Sequence, residues 1–295
     1  MKILIIIIQV AVLTAIAPLI SGIIRKIKNN IRMRRGTSVF QPYYNLAKLF
    51  AKNEVVSENA SWIFRVTPFV VIASAIFALS LVPLVNAGNN VNYAGDILLI
   101  MFTLMLGRFF LALSGLDTGS AFGGMGSSRE MFISSLVEPA MMISIFVVAA
   151  NASSTNQYLI AARGHVSFSA IVAGIALLMV TIAETSRIPV DNQETHLELT
   201  MIHEAMVLEY SGRSLALIEL ASHIKQIVFF TILANVIFPI GAGLAVYVVK
   251  ILMISAMIGV IEISIAKMRL FRAVDFLTFS LVLSMAALVI SAAGL

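Results

Sequence analysis

The chain has 295 residues, of which 60% are hydrophobic and only 12% are charged, and its formal net charge is +5. Soluble domains usually carry about a quarter charged residues, so this composition excludes an ordinary soluble fold and indicates a polytopic membrane protein. Cysteine is absent, which excludes disulfides and cysteine-ligated clusters or zinc sites within the chain. The basic residues lie in short segments between apolar runs, so the positive charge does not indicate nucleic-acid binding.

Eight apolar runs are each long enough, at about 20 residues, to cross a bilayer as a helix. They cover approximately residues 3–24, 63–85, 96–115, 131–150, 165–186, 219–239, 243–265 and 273–295. The first run is longer than the hydrophobic region of a signal peptide, and the basic cluster follows it instead of preceding it. We therefore interpret it as a transmembrane helix that is not cleaved off. The sequence therefore predicts a single all-α integral membrane domain over residues 1–295, a bundle of about eight transmembrane helices.

Lysine and arginine are concentrated in alternate connections, which by the positive-inside rule face the cytoplasm. Eight basic residues lie between Arg25 and Lys52 and three between Lys267 and Arg272, whereas the alternate connections carry only Arg163. We therefore expect both termini outside a prokaryotic cell membrane and short amphipathic helices in the cytoplasmic loops. The predicted cytoplasmic loops are residues 25–61, 116–130, 187–218 and 266–272.

Several ionisable residues lie within or beside the predicted spans, where charge is costly and by default indicates function. Glu138 lies about 12 Å into the fourth span, counted from Glu130 at about 1.5 Å per residue. It has no nearby partner in sequence, and Pro139 interrupts the helix ladder beside it, so we predict a proton-carrying role. The other residues predicted for the same proton path are Arg108, Glu184, Glu194, Glu198, Lys225 and Glu262.

Structural roles compete with this hypothesis at three positions. Arg108 suits a structural ion pair as well as it suits a transport role. For Glu262, the structural alternative is an ion pair with Lys267 or Arg269, which are close to it in sequence. We interpret Lys250 as a residue that extends its ammonium group towards the outer membrane interface.

An acidic patch follows the fifth predicted span, within residues 183–212. Glu184 and Arg187 are three residues apart and are predicted to pair on one helical face. Glu194 and Glu198 are four residues apart and would lie on one face of a short helix, where like charges repel. The patch is either the inner mouth of a proton path or a solvated acidic face.

Two further motifs are incomplete. HEAMV at residues 203–207 lacks the second histidine of a zinc-binding HExxH motif, and His196 supplies no convergent third ligand, so we predict no metal site. SAFGGMGSSRE at residues 120–130 lacks the Lys-Ser/Thr pair of a phosphate-binding loop. We interpret that segment as a tight loop packed against a partner.

The acidic patch resembles the signature loop of the first membrane subunit of respiratory complex I. The resemblance is carried by AETSRIPVD at residues 183–191, ETHLEL at 194–199 and LEYSG at 208–212. RRGTSVFQPYYNLAKLFAK at residues 34–52 resembles the amphipathic segment of the same family. The likeness covers essentially the whole chain, including its eight predicted helices.

Two further segments are similar to one branch of that family, the membrane-bound nickel–iron hydrogenases of the formate-hydrogenlyase and energy-converting type. They are SGLDTGSAFGGMGSSREM at residues 114–131 and HLELTMIHEAM at residues 196–206. Asn45 stands where the family commonly has aspartate, and Thr37 stands where it commonly has proline. Both departures count against an intact quinone cavity.

The resemblance implies a subunit that anchors a cytoplasmic hydrogenase arm, fed by ferredoxin or formate, and couples it to ion translocation. It implies no cofactor on this chain, with the nickel–iron centre and iron–sulfur clusters on partner subunits. The implied partners are the hydrogenase large and small subunits, an iron–sulfur protein and antiporter-like membrane subunits. Residues assigned on this basis to partner docking are Arg34, Arg35, Asp117, Arg129, Arg187, Asp191 and Glu209.

Three alternative functions share these predicted spans. One is the quinone-site subunit of an NADH:quinone-oxidoreductase-like complex. The second is a related complex that reduces sulfur compounds, and the third is a non-redox cation/proton antiporter module. The EYSG segment argues against the antiporter. The residues that distinguish the first two from a hydrogenase lie on other chains.

Overall fold

The computed structural model describes residues 2–82, 95–163, 167–187, 191, 202–239, 243–266, 268 and 270–294. Within those ranges the chain forms eleven helices and no strand. The helices are α1 (Lys2–Ile31), α2 (Gln41–Phe50), α3 (Trp62–Ser80), α4 (Ile97–Asp117), α5 (Ala121–Asn151), α6 (Gln157–Arg163), α7 (Phe168–Glu184), α8 (His203–Val207), α9 (Gly212–Ile237), α10 (Leu244–Ser264) and α11 (Leu270–Ala292).

Eight of these helices correspond to the predicted spans. Seven of them, α1, α3, α4, α5, α9, α10 and α11, are long and apolar enough to cross a membrane, and α7 is a shorter apolar helix. The predicted all-α membrane architecture is therefore confirmed. The end of α4 contacts the start of α3 on one face, and the end of α5 contacts the start of α7 on the other. We call the face with the end of α1 and the start of α3 the inner face, because it carries the basic segments.

Helix α9 lies at the centre of the bundle. Buried residues make up 67% of its most apolar window, compared with 28% for α11 and 33% for α10. Helix α10 packs against α1 and α9, whereas α11 packs against α5 and α7. The last two helices therefore lie on different sides of the bundle and expose broad apolar faces, as expected for contact with lipid.

Parts of the predicted inner loops are helical. Helix α1 continues to Ile31 instead of ending near residue 24, because Arg25, Lys26 and Lys28 are compatible with a helix and carry long side chains. Helix α9 begins at Gly212, seven residues before the predicted start of its span. The predicted loops 25–61 and 187–218 are correspondingly shorter.

The glycine-rich segment 120–130 is a helix, so its interpretation as a tight loop is wrong. It forms the start of α5, whose 31 residues span about 46 Å at 1.5 Å per residue, more than a bilayer core requires. A Cβ atom added to Gly123 would lie 2.4 Å from the carbonyl oxygen of Gly115, and one on Gly126 would lie 2.8 Å from the Ala205 Cβ. These glycines allow close packing of α5 against α4 and α8.

The predicted amphipathic helix after the first span is present as α2. It buries Pro42 and Leu46 against the bundle and exposes Tyr44 and Lys48. The outer connection contains a further short helix, α6, that the sequence did not predict. Its first residue is fixed by a hydrogen bond of 2.7 Å from the Gln157 amide to the Gly95 carbonyl.

The LEYSG segment leads into α9 and packs against the start of α3. The Tyr210 ring stacks on Phe64 with centroids 4.0 Å apart, and its hydroxyl donates to the Phe64 carbonyl at 3.0 Å. Burial raises the pKa of Tyr210 to about 12, so its phenol remains a donor at neutral pH. The Ser211 hydroxyl accepts a hydrogen bond from the Val55 amide at 2.8 Å. Gly212 has φ +52°, a conformation that favours glycine.

Candidate functional site

The first ionisable cluster is centred on Arg108, which is buried in the middle of α4. Its Nη2 forms an ion pair with the Glu184 carboxylate at the end of α7. Its Nη1 lies 3.4 Å from Glu138 Oε1, and its Nε lies 3.6 Å from Glu130 Oε1. Nη1 also donates to the Ser134 hydroxyl at 2.7 Å. One guanidinium is thus shared by three carboxylates, two of them on α5.

Glu184 links this guanidinium to a second cation. Its side chain is 1% exposed, and its Oε2 lies 2.8 Å from the Nζ of Lys225 on α9. Lys225 also lies 5.9 Å from the centre of the Phe229 ring. With Arg108 and the two carboxylates of α5, the cluster contains two cations and three carboxylates.

Glu138 is the member of this cluster that reaches the side of the bundle. Its side chain is 37% exposed, whereas that of Arg108 is 8% exposed. It lies well inside the long helix α5, and the neighbouring Ser135 and Pro139 are also exposed. The cluster therefore extends from a buried centre to the lateral surface at the depth of a membrane span.

The second cluster is centred on Glu262, which is buried near the inner end of α10. Its Oε2 lies 3.3 Å from the Nζ of Lys28, and its Oε1 accepts a hydrogen bond from Arg187 Nη1 at 3.0 Å. The predicted pair of Glu184 with Arg187 is wrong, because α7 ends at Glu184 and Arg187 turns towards α10. Lys267 and Arg269, the partners considered for Glu262 from the sequence, lie outside the described residues.

A chain of hydrogen bonds connects the second cluster to α1 and α9. Arg187 Nη2 donates at 3.0 Å to Gln226 Oε1, which also accepts from the Ser21 hydroxyl at 2.7 Å. The Ser21 oxygen lies 2.9 Å from His223 Nδ1. Because the Ser21 hydrogen is donated to Gln226, His223 Nδ1 must be the donor in its bond with Ser21.

A cavity of about 70 Å³ lies between the two clusters at the inner end of the bundle. Glu184 and Lys225 line it from one cluster, and Arg187, His223 and Glu262 line it from the other. All of its lining side chains are polar or charged, so it suits water. A neighbouring void of about 40 Å³ borders Arg108 and Lys225. The two clusters therefore share a polar chamber although they share no ion pair within the described part of the chain.

The structure brings together four of the residues predicted for the proton path, Arg108, Glu138, Glu184 and Lys225. Glu262 lies across the cavity from them, and Glu194 and Glu198 lie outside the described residues.

The structure also adds residues that the sequence analysis did not include. Glu130 and Ser134 precede Glu138 by eight and four residues, a spacing that places all three on one face of α5. That signal was missed because Glu130 was assigned to a loop. Lys28, His223 and Gln226 are the additions to the second cluster.

The residues predicted for partner docking differ in their surroundings. Arg34 and Arg35 are exposed on the inner face, and Glu209 and Arg129 are partly exposed. Three others make internal contacts: Asp117 accepts the Ser61 amide at 2.8 Å, Asp191 accepts the His203 amide at 3.1 Å, and Arg187 binds Glu262. Their assignment to docking stays a prediction.

The described residues do not bring together the donor groups of a metal centre. The sequence has no cysteine, and the described residues contain no group of three His, Asp or Glu side chains able to hold a metal ion. His196, considered above as a possible ligand, lies outside those residues.

Comparison with known proteins gives the family. The NADH dehydrogenase family model matches residues 2–292. The chain belongs to this family. Formate hydrogenlyase subunit 4 of Escherichia coli is 33% identical to this chain over 279 residues. The match covers 89% of this chain and 90% of the relative. Hydrogenase-4 component C of the same organism is 34% identical over 290 residues, and this match covers 92% of this chain and 91% of the relative.

The similarity extends to complex I itself and to a solved structure. NADH-ubiquinone oxidoreductase chain 1 of Branchiostoma lanceolatum is 28% identical over 225 residues, covering 72% of this chain and 70% of the relative. The predicted homology to complex I and hydrogenase membrane subunits is therefore confirmed. A chain in the structure of an archaeal membrane-bound sulfane sulfur reductase matches with a TM-score of 0.83 over 97% of this chain and 98% of that one. At 19% sequence identity, this structural match shows that the two chains share a fold.

Proposed function

We propose that this protein is the membrane-anchoring and proton-path subunit of a nickel–iron hydrogenase complex. Its similarity to formate hydrogenlyase subunit 4 and hydrogenase-4 component C over about nine-tenths of each chain supports this assignment. The observation that carries the proton-path role is the shared guanidinium of Arg108, which contacts three carboxylates at membrane depth.

The charge balance of the Arg108 cluster supports a proton-carrying role. Two cations, Arg108 and Lys225, face the carboxylates of Glu130, Glu138 and Glu184. A net charge buried at membrane depth is costly, so one proton bound to the carboxylates balances the cluster. Arginine stays protonated in proteins, so the proton moves between carboxylates while Arg108 shifts its contacts towards the ionised ones.

The position of the cluster suggests a direction for the path. Water in the polar cavity would connect the inner face to Glu184 and Lys225, which line it. From there the proton passes by way of the Arg108 contacts to Glu138, which is open to the side of the bundle. A carboxylate facing lipid is unfavourable, so Glu138 is expected to face a polar group of a neighbouring, antiporter-like membrane subunit.

The redox chemistry belongs to partners in this proposal. Since the chain has no cysteine, the nickel–iron centre and iron–sulfur clusters would be held by the hydrogenase large and small subunits and an iron–sulfur protein. Ferredoxin or formate would supply electrons for the reduction of protons to hydrogen. The exposed Arg34 and Arg35 offer positive charge on the inner face to an acidic partner surface.

Replacement of Glu138 by Gln tests the path. The complex carrying Glu138→Gln should lose at least tenfold in proton pumping by inverted vesicles, because the amide cannot carry a proton. Hydrogen production from a soluble electron donor should remain close to wild type. Glu58→Gln, which changes an exposed inner-face carboxylate, is the matched control and should pump normally. Wild-type pumping by Glu138→Gln would remove Glu138 from the path.

The fold shared with a sulfane sulfur reductase complex supports a second candidate, a sulfur-reducing complex. Metal analysis separates the two. We expect the complex purified through a tag on this chain to contain about one nickel with many irons. Iron without nickel would instead favour the sulfur-reducing complex or a quinone-reducing relative.

A further inference from the structure

The cavity between the two clusters has a cation that neither cluster uses. Arg25 lies near the inner end of α1, half-buried, and its side chain lines the cavity. Within the described part of the chain it forms no ion pair with a carboxylate. Glu219 of α9 attracts this guanidinium electrostatically without forming an ion pair with it, so Arg25 keeps hydrogen-bond donors that can bind an anion.

The carboxylates that line the same cavity are already bound by other groups. Glu184 is held by Arg108 and Lys225, and Glu262 is held by two cations of its own cluster. Asp191 accepts hydrogen bonds from two backbone amides, those of residues 202 and 203. An anion entering the cavity would therefore meet carboxylates whose charge is already partly balanced.

Two residues of the cavity wall have buried hydrogen-bond donors that meet no acceptor within the described part of the chain. Gln226 is 4% exposed, and its Oε1 accepts hydrogen bonds from both Arg187 and Ser21, whereas its Nε2 has no acceptor among the described residues. The Arg187 Nε is likewise buried without an acceptor. A buried donor without a partner costs about 1–3 kcal/mol, so small side-chain movements that bring these donors to an oxygen ligand are favoured.

We infer that the cavity binds a phosphate group, held by the guanidinium of Arg25 together with Arg187 and Gln226. Guanidinium groups match phosphate oxygens in paired hydrogen bonds, which favours arginine at such sites. The 70 Å³ volume holds about five water molecules, the same number of heavy atoms as a phosphate group. The site lies at the inner end of α1, where either free phosphate or the headgroup of an anionic lipid can reach it.

Thermal melting of the purified complex tests this site without reference to proton pumping. The complex, stripped of lipid in mild detergent, is titrated with inorganic phosphate at constant ionic strength set by chloride. A ligand that binds only the native state raises the melting temperature in a saturable manner. We expect this rise in the wild type, its loss in Arg25→Gln, and a several-fold weaker response in Gln226→Met. Arg65→Gln, at an exposed arginine of α3 that does not line the cavity, should respond as the wild type does.

The source of the phosphate is determined by repeating the melts with phosphatidylglycerol or phosphatidylcholine in place of inorganic phosphate. Stabilisation by phosphatidylglycerol that Arg25→Gln abolishes assigns a lipid headgroup, and stabilisation by inorganic phosphate assigns the free ion. An identical rise in the wild type and Arg25→Gln would overturn the proposal, as would a wild type that responds to neither ligand. If Arg25→Gln does not assemble, a full response in Gln226→Met would also overturn it.

Discussion

Replacement of Glu184 by Gln is the most informative perturbation of the Arg108 cluster. Glu184 is 1% exposed and binds both cations of the cluster, so its loss leaves Lys225 without a carboxylate partner in the described part of the chain. Arg108 keeps Glu138 at 3.4 Å and Glu130 at 3.6 Å. The destabilisation should therefore come mainly from the stranded lysine.

The size of the effect follows from the burial of that pair. Removing one partner of a buried ion pair typically costs about 3–5 kcal/mol. The Lys225 side chain is 19% exposed and can partly recover hydration, so we expect a value near the lower end, about 3 kcal/mol. At roughly 2–4 °C per kcal/mol, the melting temperature of the purified complex should fall by about 6–12 °C.

A double-mutant cycle distinguishes this explanation from a general loss of packing. Lys225→Met removes the stranded cation, so Glu184→Gln/Lys225→Met should melt closer to the wild type than Glu184→Gln alone. The expected coupling between the two sites is about 0.5–3 kcal/mol, measured by thermal or denaturant unfolding of the solubilised complex. Strictly additive losses, or a double variant less stable than Glu184→Gln, would refute the reasoning.

Two further predictions concern the packing of the inner face. Gly126→Ala should destabilise the protein by about 1–3 kcal/mol, because the added Cβ would lie 2.8 Å from the Cβ of Ala205. Gly124→Ala on the same helix is the control: its Cβ would meet nothing within 4 Å, so it should be neutral or slightly stabilising. Thermal melts of the two variants compare them directly. Tyr210→Phe should cost about 1 kcal/mol by removing the hydrogen bond to Phe64. Because the folded-state pKa of Tyr210 is raised to about 12, the wild type should lose stability as pH rises from 10 to 12. Tyr210→Phe should lose less over that range, and equal alkaline losses in both proteins would contradict the assignment.

The number and type of the spanning helices were predictable from the sequence because a bilayer requires long apolar runs. Their ends were less predictable, since the residues at those ends have more than one structural use. Arg25 and Lys28 would satisfy the positive-inside rule equally well in a loop or at the end of a long helix. In the structure both lie within α1. Gly123 and Gly126 are common in loops, but here they permit close contact between helices.

Several ionisable residues of the site could be found from the sequence, but most of their partners could not. Glu138 and Arg108 stand out because charge is rare in an apolar run. The groups that they meet are far apart along the chain, since Arg108 pairs with Glu184 and Lys28 pairs with Glu262. Such contacts depend on which helices are neighbours, and helical periodicity within one segment does not contain that information.

The charge balance of the two clusters explains why their roles should differ. In the second cluster a single carboxylate, Glu262, contacts two cations, Lys28 and Arg187, so a bound proton would add to an existing excess of positive charge. In the first cluster three carboxylates contact Arg108 and Lys225, and one bound proton restores balance. In the proposed path, protons entering the shared cavity from the inner face would therefore bind on the Arg108 side, towards Glu138. The second cluster instead holds α1, α10 and the segment after α7 together around the cavity. Displacement of Arg187 from Glu262 would move a positive charge and thereby change the electrostatic potential at the Arg108 cluster.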